Sequence, residues 1–193
     1  VFTAVHVTSW LWLLLEISLV IRDRVRGTGS ARADRGTRRL VVVLTLSATL
    51  AATVFEFLLP AGSALRFSAL GLPGWEQIAG VVAMGAGLVL RGWSVVVLGK
   101  AFRTTVEVGR DQPVVTRGPY RRVRHPSYTG VLLLAAGYGL AAGNWLSFAL
   151  TVVLPLVSVL VRIAVEERAL VRVLGRPYET YRAGTKRLVP GLW

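Results

Sequence analysis

The sequence predicts an all-α integral membrane protein with five transmembrane helices in a single domain, residues 1–193. The first observation is composition. Of 193 residues 53% are hydrophobic, and the mean hydropathy is +0.57, too apolar for an ordinary soluble domain and too short for several. The second is that charge is nearly absent from long windows. The third is that the basic residues behind a net charge of +13 gather on alternate connections.

The first window, Val1–Ile21, contains only Glu16, near its end. It lacks a basic start and a small-residue cleavage site, so it reads as a true span and not a signal peptide. Leu40–Leu59 contains only Glu56, again near its end, and Trp75–Leu98 contains Glu76 at its start and Arg91 within. Each window is about 20 residues, enough for roughly 30 Å of hydrocarbon. Ser127–Ala142 and Trp145–Val161 follow, split by the turn signal Gly143-Asn144, and read as a tight helical hairpin whose arms are short for a span. After Trp145 no stop signal appears before Gly175 and Pro177. A helix of roughly 30 residues, about 45 Å long, must project beyond the bilayer, and Pro155 should kink it.

Segments 22–39, 100–125 and 162–193 each hold seven Lys or Arg, whereas loop 60–74 holds Arg66 alone. Five spans put the basic segments on one side, which the positive-inside rule makes cytoplasmic, with the N-terminus outside. The expected site is the plasma membrane of a prokaryote. The charge then reflects topology and attraction to anionic membrane lipids, and no nucleic acid partner is expected. With no cysteine, a disulfide framework and a Cys-ligated metal site are excluded, and with only His6 and His125 a multi-histidine metal site is not expected.

Segment 22–39, rich in Gly, Arg and Ser, reads as a solvated loop against headgroups. In segment 100–130, Thr104–Val108 alternates as a short extended piece, and Gln112-Pro113 and Gly118-Pro119 are turn punctuation. Pro126 suits the first turn of a helix, so Arg124-His125-Pro126 marks a helix start at the membrane surface. That is either a cap with a basic anchor or a place for an anion. On the projecting helix, with Ile163 at zero and about 100° per residue, Leu170 falls near −20°, Leu174 near +20°, Glu167 near +40° and Glu166 near −60°. Arg168 and Arg172 fall on the far side. Two glutamates thus flank an apolar stripe, either paired through an i,i+4 Arg162–Glu166 bridge or serving a cationic group. Tyr178 and Tyr181 are either interfacial anchors or a wall over a planar ring.

Two stretches, GPYRRVRHPSYTG at 118–130 and EERALVRVLGRPYETY at 166–181, resemble the isoprenylcysteine carboxyl methyltransferase family, which includes phospholipid methyltransferases. The pattern is filled by Gly118, Tyr120, Arg124, His125, Pro126, Tyr128 and Gly130, then by Glu166, Glu167, Leu170, Gly175, Tyr178 and Tyr181. Arg187-Leu188-Val189-Pro190 is similar to the family's tail. The resemblance covers residues 75–190 and implies a catalytic core at 75–193, with residues 1–60 as two accessory spans.

The resemblance implies S-adenosyl-L-methionine bound in a cytoplasmic pocket made by the C-terminal segments, with S-adenosyl-L-homocysteine as product. Cofactor contacts fall on Val114, Val115, Tyr120, His125, Pro126, Tyr128, Glu166, Glu167, Leu170, Tyr178 and Tyr181. Arg162, Glu166 and Arg124 lie toward the methyl-transfer centre. A lipophilic small molecule or lipid-modified substrate enters from the bilayer, and no metal takes part. A carboxylate acceptor needs no base and Arg162 can aim it; an amine can lose its proton to Glu166 or Glu167; a thiol is a further alternative. An NADPH-dependent sterol-type reductase shares the architecture but typically has Asn-Tyr where this chain has Ser127-Tyr128. A scaffold or transporter is the remaining reading, since intramembrane charge marks transport paths, although Glu16 and Glu56 can snorkel. Arg91 either faces the site or snorkels.

Overall fold

The computed structural model describes residues 2–25, 36–59, 63–66, 74–104, 108 and 112–191. Parts of three expected features therefore lie outside the described residues: 26–35 of the basic loop, 60–62 and 67–73 of the outer loop, and 105–107 of the extended piece. The helices are α1 (Phe2–Val25), α2 (Thr37–Leu58), α3 (Trp75–Leu98), α4 (Pro126–Ala141), α5 (Trp145–Leu174) and α6 (Arg176–Gly184). Short 3-10 turns at Gly99–Ala101 and Gly118–Arg121 follow α3 and precede α4.

Four of these helices, α1, α2, α3 and α5, are long and apolar enough to cross a membrane. Large apolar side chains such as Leu14, Leu50, Val89 and Val153 point outward from them, as lipid contact requires. Helix α4 differs. Its 16 residues make about 24 Å, short of the roughly 30 Å hydrocarbon core. None of them is exposed, because α4 is enclosed by α2, α3 and α5. Helix α5 runs unbroken for 30 residues through Pro155 and ends at Gly175, whose φ of 57° is readily adopted only by glycine.

The α3–α4 contact is made by backbone. Gly80 and Gly87 on α3 meet Gly137 and Gly130 on α4, the glycines on each helix spaced by seven residues. A Cβ on Gly130 would stand 2.7 Å from the Gly87 carbonyl oxygen, and one on Gly80 would stand 2.6 Å from that of Gly137. Small residues at such intervals let antiparallel helices approach until backbone touches backbone. The α4–α5 contact uses Gly139 against Phe148 and Thr151 in the same way.

At one end of the bundle, Asn144 is fully buried and caps α5 by accepting from the Ser147 N–H at 2.8 Å. The Trp145 N–H donates to the Leu65 carbonyl at 2.9 Å. Arg66, alone on this side in the sequence, donates to the carbonyls of Glu56 and Leu59 and closes the end of α2. The C-termini of α1, α3 and α5 and the N-termini of α2 and α4 gather at the other end. There α1 is held to α3 by Leu19, Val95 and Phe102.

The glycine seam generates a prediction. Gly130→Ala forces α3 and α4 apart and should cost about 1–3 kcal/mol, as overpacking does. Gly85→Ala, where a new Cβ meets nothing within 4 Å, should be neutral or stabilising. Thermal unfolding in detergent distinguishes them, and equal midpoints would contradict the packing account.

Candidate functional site

The two glutamates at the end of α5 are adjacent in sequence but about 100° apart around the helix, and the structure gives them different tasks. Glu167 points inward and is 4% exposed. Its Oε1 accepts from Arg124 Nε at 2.9 Å and lies 3.3 Å from His125 Nε2; its Oε2 accepts from Arg187 Nη2 at 3.2 Å. A buried carboxylate is tolerable only when paired and hydrogen-bonded in this way. The same carboxylate fastens the C-terminal tail. The Arg124 and His125 N–H groups donate to the Lys186 and Arg187 carbonyls at 2.7 and 3.0 Å. Thr129 Oγ1 donates to the Leu188 carbonyl at 2.8 Å, and Leu188 is buried against Val159 and Ile163.

Glu166 faces a cavity of about 320 Å³, within the usual range for small-molecule sites. Tyr128 donates to Glu166 Oε2 at 2.6 Å and accepts from Arg162 Nε at 2.6 Å. The phenol thus stands between two residues whose spacing alone predicts a direct bridge. Arg162 is buried, with its Nη1 on Thr37 Oγ1 at 3.3 Å and its Nη2 on the Thr104 carbonyl at 2.7 Å. It therefore links α5 to α4, α2 and the segment after α3.

The aromatic residues form the other wall. The rings of His125 and Tyr128 stack 5.6 Å apart, and those of Tyr178 and Tyr181 lie 6.0 Å apart. Tyr181 donates to the Tyr120 carbonyl at 2.7 Å, which docks α6 on the turn before α4. Burial pushes the Tyr181 phenol up to about 12, with Arg124 opposing it. Burial, then nearby glutamates, raises Tyr120 and Tyr178 above the ordinary tyrosine range. All three remain neutral hydroxyls at physiological pH.

Arg124, His125, Tyr120, Tyr128, Val114, Val115, Arg162, Glu166, Leu170, Tyr178 and Tyr181 all line the cavity. Pro126 and Glu167 do not. Pro126 is fully buried at the start of α4, where it sets the helix direction. Glu167, expected at the cofactor, lies outside the cavity lining, and its oxygens serve Arg124, His125 and Arg187. The helical arithmetic places Leu170 and Leu174 on the cavity and leaves Arg168 and Arg172 exposed.

A second set of cavity residues lies on α1, α2 and α3, of which the sequence reading offered only Arg91, as one of two alternatives. Arg91 does not snorkel; it is 7% exposed, pairs with Glu16 through Nε and through Nη2 at 2.8 Å, and donates to Ser127 Oγ at 2.8 Å. Trp12 donates to the same glutamate at 3.1 Å. The only sequence signal was the intramembrane charge of each partner. Thr45, Arg103, Thr104 and Tyr178 also line the cavity, and each has a buried side-chain polar atom without a hydrogen-bond partner. Such atoms are rare in a finished interior, so they favour a polar ligand.

The comparisons with known proteins agree with this geometry. The phospholipid methyltransferase family matches residues 75–177. Protein-S-isoprenylcysteine O-methyltransferase of Schizosaccharomyces pombe is 36% identical over 106 residues, 54% of this chain and 45% of that protein. Protein-S-isoprenylcysteine O-methyltransferase B of Arabidopsis thaliana is 29% identical over 118 residues, 60% of each. Among solved structures, the eukaryotic intramembrane Ras methyltransferase, isoprenylcysteine carboxyl methyltransferase, superimposes with a TM-score of 0.60 at 25% identity, covering 78% of this chain and 52% of that one. The chain spans 45% to 60% of the length of these two curated relatives.

The unequal glutamates can be separated by stability. Glu167→Gln removes the carboxylate charge that faces the buried side chain of Arg124 and should cost about 3–5 kcal/mol, the range for breaking a buried pair. Glu166→Gln, beside the cavity, should stay within about 0.5 kcal/mol. Thermal midpoints in detergent test this, and similar losses for both would contradict the division of labour.

Proposed function

The chain belongs to the phospholipid methyltransferase family, and we propose that it transfers a methyl group from S-adenosyl-L-methionine to the carboxylate of a lipophilic acceptor at the cytoplasmic face of a membrane. The observation that carries this reading is the Arg162–Tyr128–Glu166 chain of hydrogen bonds on one wall of the cavity. It sets a carboxylate and a guanidinium on the same wall, bridged by one phenol, where a ligand carrying both signs of charge can meet them. Relatives named as isoprenylcysteine O-methyltransferases support the choice of a carboxyl acceptor.

The residues present fit the cofactor. Glu166 supplies negative charge for its ammonium or sulfonium group. Tyr120, His125, Tyr128, Tyr178 and Tyr181, with Leu170 and the Val114-Val115 segment, supply the aromatic and apolar surface that an adenine ring requires. The unpartnered Tyr178 hydroxyl supplies a hydrogen bond. When bound, the cofactor supplies an electrophilic methyl group on a positively charged sulfur. The protein's own task is alignment and exclusion of water. Arg162, fixed by Tyr128, Thr37 and Thr104, holds the acceptor carboxylate in line, and Arg124 acts behind it by fixing the start of α4. No proton has to move, so no general base is required. Transfer would remove the sulfonium charge and the charge of the acceptor carboxylate, which weakens the hold of Arg162 on the acceptor and favours release of the ester into lipid.

The acceptor reaches this point from the bilayer. Helix α1 packs on α3, and α2 packs on α4 and α5, so the two helices flank the cavity with apolar residues including Leu13, Val41, Val42 and Leu46. We infer five crossings, with α4 as the short buried one, the N-terminus outside, and the pocket on the cytoplasmic side of a prokaryotic plasma membrane. The distribution of arginine and lysine supports that orientation.

Calorimetric titration of the detergent-purified chain tests the activity. S-adenosyl-L-homocysteine should bind one-to-one and NADPH should not; binding of NADPH alone would favour a reductase. Glu166→Ala should weaken S-adenosyl-L-homocysteine about tenfold or more, and Arg162→Lys should spare that affinity while reducing turnover at least tenfold, since lysine lacks the planar fork. Equal loss of binding and turnover in the arginine variant would mark it as structural.

The absence of cysteine makes topology directly measurable. An impermeant thiol reagent on intact cells should label Ala64→Cys, whereas Arg176→Cys should react only after permeabilisation. The reverse pattern would invert the orientation.

A further inference from the structure

The membrane-facing part of the cavity is mainly apolar but contains polar groups that methyl transfer does not use. Thr45 on α2 is 5% exposed and lines the cavity, and its hydroxyl has no hydrogen-bond partner. Other hydroxyls on these helices behave differently. Thr8, Ser9, Thr49, Thr53, Ser94 and Thr151 each donate to the carbonyl four residues earlier. Thr45 forgoes that bond, which is costly in an apolar setting. Arg91, on the same cavity, uses Nε and Nη2 for Glu16 and Nη1 for Ser127. A guanidinium has five N–H donors, so two remain.

The depth of these groups is set by the helices. Thr37 accepts from Arg162, and Thr45 lies eight residues further along α2, about 12 Å deeper. On α1, Asp23 accepts from the Thr104 N–H, and the Thr104 carbonyl accepts from Arg162. Glu16 lies seven residues before Asp23, about 10 Å deeper. Thr45 and the Glu16 that anchors Arg91 therefore stand at similar depth, inward of the point where Arg162 would hold the acceptor carboxylate.

We propose that Thr45 and Arg91 bind an oxygen function, a carbonyl or hydroxyl, on the chain of the acceptor, about 10–12 Å from the methyl-accepting carboxylate. This rests on the methyl-transfer reading of the site. Because a guanidinium only donates, the partner must accept hydrogen bonds; an ammonium group is repelled, and a plain hydrocarbon leaves the Thr45 hydroxyl unpaired. The acceptor class is thus a lipophilic acid with an oxygenated chain, not a purely hydrocarbon one.

The test uses octadecanoic acid and its analogue bearing an oxo group about nine bonds from the carboxylate, the count that spans this distance in an extended chain. Each is titrated by calorimetry into the full chain, alone and with S-adenosyl-L-homocysteine. The oxo acid should bind about 3- to 10-fold more tightly, and Thr45→Val should remove that advantage. The same variant should unfold at an equal or higher temperature without ligand, because it replaces an unpaired hydroxyl with a methyl group of similar size. Equal affinity for the two acids, no binding of either, a preference that survives Thr45→Val, or a fall in the ligand-free midpoint would overturn the proposal. Failure of S-adenosyl-L-homocysteine to bind would overturn the methyl-transfer reading instead, since the preference between acids is read separately.

Discussion

Everything at the working end of this protein depends on one buried carboxylate. Glu167 ties α5 to Arg124 and His125 at the head of α4 and to Arg187 in the tail. It adds a charged tie among α5, the head of α4 and the tail to the backbone bonds of Arg124 and His125 with Lys186 and Arg187. Desolvating a charge is costly, and geometry with several donors compensates for it. That requirement for several donors draws three separate stretches of chain together. The position of Tyr128, and through it of Arg162 and Glu166, follows from that convergence.

The cavity joins two regimes. Near Arg162 and Glu166, polar groups are numerous. Toward α1 and α2 the walls become mainly apolar, and the Glu16–Arg91 pair stands among them, held further by Trp12 and Ser127. A ligand that fills this space must itself be graded, polar at one end and lipophilic at the other. The family relationship and the physical chemistry therefore converge on an amphiphile.

Legibility in the sequence followed the range of the interaction. Helix α5 was readable because a fixed angle per residue carries Ile163, Leu170 and Leu174 to one face and Arg168 and Arg172 to the other. Pro126 and Gly175 were readable because each has a local backbone consequence. Glu166 and Glu167 could not be told apart, since their roles depend on Arg124 and Arg187, distant in the chain. The Glu16–Arg91 pair joins residues 75 positions apart, and snorkelling was an equal alternative for each. The seam of Gly80, Gly87, Gly130 and Gly137 was present as two glycine pairs of matching interval, a signal visible once both helices are known to be neighbours. Thr45 gives no sequence signal, because an unpaired hydroxyl is a property of the folded surroundings.

The family match begins at Trp75, where α3 begins. The glycine seam inside the matched region locks α3 to α4 with almost no side chain between them, so that unit tolerates little variation. Helices α1 and α2 lie before it, contribute side chains to the cavity, and join the matched region through a short set of polar links, Glu16–Arg91, Asp23–Thr104 and Thr37–Arg162. Such a division lets a lineage exchange its front helices as interchangeable parts. Diversification of the molecules processed can then proceed without renegotiating the chemistry, and grafting α1 and α2 between relatives becomes a rational route to new catalysts.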